Sequence, residues 1–82
     1  MKAKIPKGDW IWPAIWLLPA YNEFGNWPAS GEIDIMESRG NAASYPAGGV
    51  NKFASTLHWG ADWTTNKYEK THAEYTNGAD LD

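Results

Sequence analysis

The chain has no cysteine, which excludes a disulfide framework and a zinc–thiolate site. Positive charge is also scarce. Seven Lys and Arg stand against ten Asp and Glu, a formal net charge of −3, and no basic cluster is present to track phosphates. Electrostatic binding to nucleic acid or to a membrane surface is therefore not expected. Long hydrophobic runs are missing too: the most apolar stretch, Trp10 to Tyr21, is too short to span a bilayer and is broken by Pro13 and Pro19. Met1 to Pro6 lacks the apolar core and small-residue cleavage site of a signal peptide. None of the Asn residues sits in an Asn-x-Ser/Thr acceptor, so glycosylation offers no clue to secretion. Helix signals are poor, since eight Gly and five Pro interrupt 82 residues and no window keeps the i, i+3, i+4, i+7 apolar pattern.

Aromatic residues, by contrast, are abundant. Six Trp and an aromatic fraction of 15% exclude disorder by composition and exceed what the core of one small domain requires. Aromatic rings also suit the C–H faces of sugars. Period-two alternation is the main secondary-structure signal. From Trp10 to Leu18 the even positions Trp10, Trp12, Ala14 and Trp16 are mostly aromatic; Ile11, Ile15 and Leu17 make the odd face aliphatic. That pattern predicts a strand between a core and a ligand surface, with an irregular start where Pro13 denies a ladder bond. Gly31 to Ser38 and Phe53 to Trp59 read as two further strands, and Lys67 to Tyr75 as a weakly patterned fourth. The turn residues of Asn22 to Gly31, Arg39 to Asn51 and Gly60 to Asn66 mark loops. Four strands and no helix give an all-β chain whose sheet lacks a second layer, the expectation for part of a larger β domain.

The informative segment is Gly31-Glu32-Ile33-Asp34-Ile35-Met36-Glu37-Ser38. Acidic residues on a half-buried strand are commonly plain solvent-facing positions. Strict alternation, however, puts Glu37 on the aliphatic face with Ile33 and Ile35, where an ionised carboxylate is costly unless paired. A one-residue β-bulge at Ile35-Met36 would turn Glu37 round to join Glu32 and Asp34. Like charges in such a row push a pKa upward and yield a protonated acid beside an ionised partner. Retaining glycoside hydrolysis uses such a pair, a nucleophile and an acid/base about 5–5.5 Å apart, and Glu32 and Glu37 are the candidates.

In its context, Trp27-Pro-Ala-Ser-Gly-Glu-Ile-Asp-Ile-Met-Glu-Ser-Arg-Gly-Asn41, this hexad resembles glycoside hydrolase family 16. The likeness is to its endo-β-1,3-glucanase (laminarinase) branch, which includes the β-1,3-glucan and lipopolysaccharide recognition proteins of invertebrate immunity. Gly8 to Pro19 and Ser55 to Gly60 match the strands on either side of the motif. The resemblance implies a concanavalin-like β-jelly-roll sandwich, of which residues 1–82 would be the central strands of the catalytic domain. It also implies that Glu32 is the nucleophile, Asp34 its assistant and Glu37 the acid/base. A sister group that cleaves mixed-linkage glucan has a motif one residue shorter and no bulge, so Met36 aligns this chain with the β-1,3-glucan side. By the same likeness the protein is extracellular, uses no cofactor and acts on a β-1,3-glucan polysaccharide.

The supporting residues follow with less specificity. Trp12 and Trp16 share the aromatic face, and Trp27 precedes the motif; core packing is the plain alternative, and the resemblance favours sugar stacking. His58 has opposite parity to Phe53, Leu57 and Trp59, which places it in the cleft if those three are core. His72 has no evident partner and reads as surface. No metal is expected, because the His and carboxylates lack ligand spacing. Two functional expectations stand: a retaining endo-β-1,3-glucanase, or a non-catalytic glucan-recognition protein with the same cleft. A chain this short, with aromatic strands lacking partners, is also expected to aggregate if isolated.

Overall fold

The structure, a computed structural model, describes residues 1–81. It contains one antiparallel sheet of four strands in the order β1-β2-β3-β4: β1 (Ala14–Leu17), β2 (Glu32–Ser38), β3 (Lys52–His58) and β4 (His72–Thr76). Two short 3₁₀ turns, Trp63–Thr65 and Tyr68–Thr71, lie between β3 and β4. No helix among the described residues is long and apolar enough to cross a membrane. The all-β expectation holds, as one antiparallel sheet.

Two strands differ from the alternation reading. β1 begins at Ala14 rather than Trp10, because Trp10 adopts a left-handed φ of 66° and Pro13 has no N–H to donate. The chain before it still runs beside the end of β2, through bonds from Ser38 N to Pro13 O (3.0 Å) and from Gly40 N to Ile11 O (2.8 Å). Gly40 has to be glycine, since a Cβ there would meet the Gly8 backbone. The expected strand from Lys67 to Tyr75 is half 3₁₀ turn; β4 starts only at His72.

The bulge is present at the expected place. β1 pairs Ile15 with Met36 but Trp16 with Asp34. β3 pairs Thr56 with Asp34 but Ala54 with Glu37, so Ile35 and Met36 together oppose Ser55. The Ser55 hydroxyl donates to Ile35 O at 2.7 Å and ties the bulge to β3. One extra residue reverses side-chain parity along the rest of the strand.

Burial is divided between the carboxylate face and the end of β2 with the loop beyond it. Asp34 and Thr56 are buried, along with Ser38 and Asn41 near the β2 end, whereas Met36 and Val50 are the buried hydrophobic residues. The aliphatic face is uncovered, with Leu17 54% and Ile33 47% exposed and Ile35 and Leu57 close behind. Trp59, expected in a core on that parity, is 40% exposed. Its indole instead donates to Thr71 Oγ1 at 3.1 Å, and the Lys67 ammonium sits 5.4 Å from its ring centroid. A sheet in one layer supplies no core for it to enter.

Candidate active site

Cross-strand partners in an antiparallel sheet project to the same face. Trp16 opposite Asp34, His58 opposite Glu32, Ala54 opposite Glu37 and His72 opposite Thr56 therefore define a single surface. The structure brings Glu32, Asp34 and Glu37 together on it, with Trp16 on one flank and His58 on the other. Without the bulge, Glu37 would point to the aliphatic side.

Each carboxylate has a distinct environment. Glu32 accepts a 2.7 Å hydrogen bond from Trp27 Nε1. The loop carrying Trp27 is closed by Ser30, whose hydroxyl donates to Gly25 O (2.7 Å) and accepts from Phe24 N (3.1 Å). The Trp27–Pro28 peptide is cis. Asp34 is 3% exposed. His58 Nε2 lies 3.0 Å from Asp34 Oδ2 and 3.9 Å from Glu32 Oε1. The first contact is at ion-pair distance but off the ring N–H axis, so Asp34 Oδ2 has no aligned donor. Burial pushes the Asp34 carboxyl up to about 6, helped by its hydrogen bond to Glu32 and by the charges of Glu32 and Glu37; His58 opposes the shift. The raised pKa expected of the acidic row thus falls on its middle member.

Glu37 opens onto a groove of about 410 Å³ that Trp12, Arg39, Lys52, His72 and Glu74 also line. Trp12 reaches this groove from the irregular segment before β1, not from a strand. Trp16 and Trp27 line a second depression, beside Glu32. The four aromatic and imidazole residues singled out from the sequence accordingly fall on both sides of the carboxylate row. Arg39 lines the Glu37 groove with its guanidinium donating to Ala47 O at 3.1 Å. His72, read as a surface residue without a partner, has two: Nδ1 is 2.8 Å from Thr56 Oγ1 and Nε2 is 3.4 Å from Glu74 Oε1.

Sequence reasoning missed Asn66. Its Nδ2 lies 2.8 Å from His58 Nδ1, while its Oδ1 accepts from Tyr68 N (3.1 Å) and Trp59 N (3.4 Å). The His58 ring is also packed between Trp27 and Tyr68, with centroids 5.4 and 5.5 Å away. No spacing rule links Asn66 to His58, because the Gly60–Asn66 loop folds back on itself to bring them together. Asp62 caps that loop by accepting from Thr64 N and Thr65 N, each at 3.0 Å. Glu32, Asp34 and His58 place three potential ligand atoms within 4.8 Å of one another. This grouping, which residue spacing does not suggest, arises because β3 pairs His58 with Glu32 beside Asp34.

A family model described as "XgeA-like, catalytic GH16 domain" matches residues 2–80. The chain belongs to glycoside hydrolase family 16. Among its relatives is a beta-1,3-glucan-binding protein of Penaeus monodon, 57% identical over 76 residues, which cover 93% of this chain and 20% of that protein. The glucan endo-1,3-beta-glucosidase A1 of Niallia circulans is 44% identical over 66 residues, covering 80% of this chain and 9% of the relative. A glucan endo-1,3-beta-glucosidase of Cryptopygus antarcticus is 48% identical over 61 residues, or 74% of this chain and 20% of the relative. The chain thus spans a fifth or less of the length of these family 16 relatives. No solved structure matches.

Proposed function

We propose that this family 16 chain carries the catalytic strip of a retaining endo-β-1,3-glucanase. The observation that supports it is the bulged β2, which sets Glu32, Asp34 and Glu37 on one face between two aromatic-lined depressions. In this reading a glucan lies along the row. Glu37 protonates the glycosidic oxygen while Glu32 attacks the anomeric carbon, forming a glycosyl ester and releasing the leaving chain. Glu37, now a carboxylate, takes a proton from water as that water cleaves the ester and frees Glu32. Trp27 Nε1 orients the nucleophile throughout. Asp34 holds a proton against Glu32 at mildly acidic pH and gives it up as pH rises through about 6. Trp12 on the Glu37 side, and Trp16 and Trp27 on the Glu32 side, supply stacking faces for successive sugars. The substrate is a β-1,3-glucan met outside the cell, and no cofactor takes part.

Glu32→Ala tests the assignment. Loss of reducing-sugar release from laminarin, with binding to insoluble glucan retained, is expected; undiminished hydrolysis would overturn it.

A second reading is non-catalytic glucan recognition. It is favoured by the likeness to the beta-1,3-glucan-binding protein of Penaeus monodon, identical at 57% of matched positions. Reducing-sugar release beside a glucan pull-down separates the two: binding without release selects recognition.

A further inference from the structure

We propose that Asn66 is a positioning residue of the cleft: its amide holds His58 with Nδ1 unprotonated and Nε2 protonated, which puts the ring proton on the nitrogen nearer the buried Asp34 carboxyl. The orientation of the Asn66 amide follows from its own partners. Two backbone N–H groups, of Tyr68 at 3.1 Å and Trp59 at 3.4 Å, point at one end of it. Only an oxygen satisfies two donors, so that end is Oδ1 and the other is the NH₂ group. The NH₂ group then donates to His58 Nδ1 at 2.8 Å, and a nitrogen that accepts a hydrogen bond carries no proton. In the neutral ring the proton sits on Nε2, 3.0 Å from Asp34 Oδ2.

The surroundings leave His58 little freedom to choose otherwise. Trp27 and Tyr68 pack on its ring, tilted to it by 46° and 33°. The charged groups facing it are Glu32 and Asp34 of β2, both on the Nε2 side; Lys67 lies instead over Trp59. The loop that delivers Asn66 is itself fixed, by the Asp62 cap and by the bond from Lys67 N to Trp59 O at 2.7 Å. The catalytic consequence rests on the hydrolase reading: a protonated Nε2 at 3.0 Å from Asp34 Oδ2 sets the positive end of the ring dipole beside the Asp34–Glu32 pair through the reaction. The tautomer itself does not depend on that reading.

The test is two-bond ¹H–¹⁵N spectroscopy of the imidazoles in the purified protein, which has two histidines. An unprotonated-type Nδ1 signal and a protonated-type Nε2 signal are expected for neutral His58. Asn66→Asp is nearly isosteric and replaces the donor with an acceptor, so Nδ1 should become protonated; unchanged His72 signals would show that the sheet is intact. On laminarin, Asn66→Asp should lower kcat about tenfold or more with KM within about twofold, the loss of roughly one well-placed hydrogen bond in the transition state. A protonated Nδ1 in the parent, or a tautomer unaffected by Asn66→Asp, would overturn the proposal. So would a switched tautomer with unchanged kcat. Failure of the parent protein to release sugar would count against the hydrolase reading alone, and the spectra would still decide the tautomer.

Discussion

The two faces of the sheet invert the usual relation between polarity and burial. On the cleft face, Asp34 and Thr56 are buried and Glu32 is bonded to Trp27. On the other, Leu17, Ile33, Ile35 and Leu57 stand open. The same strands make both faces, so the difference arises from what lies above each. The cleft face is roofed by side chains and loops of this chain: Trp16, Trp27 and the Gly60–Asn66 loop. Around Leu17, Ile33, Ile35 and Leu57 the aliphatic face lies open among the described residues, and its composition is that of a surface made to be covered by a second layer. The acids are therefore organised by local structure alone, while the stability of the sheet depends on the other side.

The largest break in that comparison should come from Glu37→Gln. In the proposed mechanism it removes the proton donor, and it should lower kcat on laminarin by about 10²–10⁴-fold. Activity on a glucoside with an activated aryl leaving group should fall far less, and equal losses on both substrates would argue against the acid role.

Asp34→Asn is next in size. The folded-state pKa of Asp34 is raised from 3.8 to about 6, so between these values the folded protein holds more protons than the unfolded chain. Its contribution to stability is then fully present below about pH 4 and lost as pH rises through 6. The loss is at most on the order of 3 kcal/mol. Denaturant melts of the parent should weaken across this window, and those of Asp34→Asn should lack that component. Identical pH slopes would mean that Asp34 is not held in its protonated form.

Trp16→Ala should weaken binding to insoluble glucan by about 1 kcal/mol, or roughly fivefold, if the ring stacks on sugar. A matching substitution on the other face, Leu17→Ala, should leave glucan binding unchanged. The smallest effect separates the faces by stability alone. In this chain Ile33→Lys should change the unfolding free energy from denaturant melts by less than about 0.5 kcal/mol, as for an exposed site. Thr56→Lys, buried beside Asp34, should cost several times more.

Much of this was readable from residue order, for identifiable reasons. The bulge could be inferred because Glu37 had the wrong parity for its charge, and one inserted residue repaired it. His58 could be placed because its parity is opposite to that of Phe53, Leu57 and Trp59. The length of β1 could not be inferred from alternation, since a positive φ at Trp10 ends the regular geometry while leaving the apolar pattern intact. The fourth strand was placed too early because Lys67 to Thr71 carries no signal separating a 3₁₀ turn from a weak strand. Asn66 and the partners of His72 were invisible, because they rest on loop closure and cross-strand register rather than spacing. Trp59 was misplaced because parity assigns a face but not what covers it.

The central claim is that the face bearing Glu32, Asp34 and Glu37 cleaves β-1,3-glucan through a covalent intermediate on Glu32. The most direct measurement is ¹H NMR of the anomeric protons in the first minutes of laminarin hydrolysis. The account predicts that the newly released reducing end appears first in the β configuration, with the α form growing in only by mutarotation. First appearance of the α form, or no released sugar at all, would contradict it.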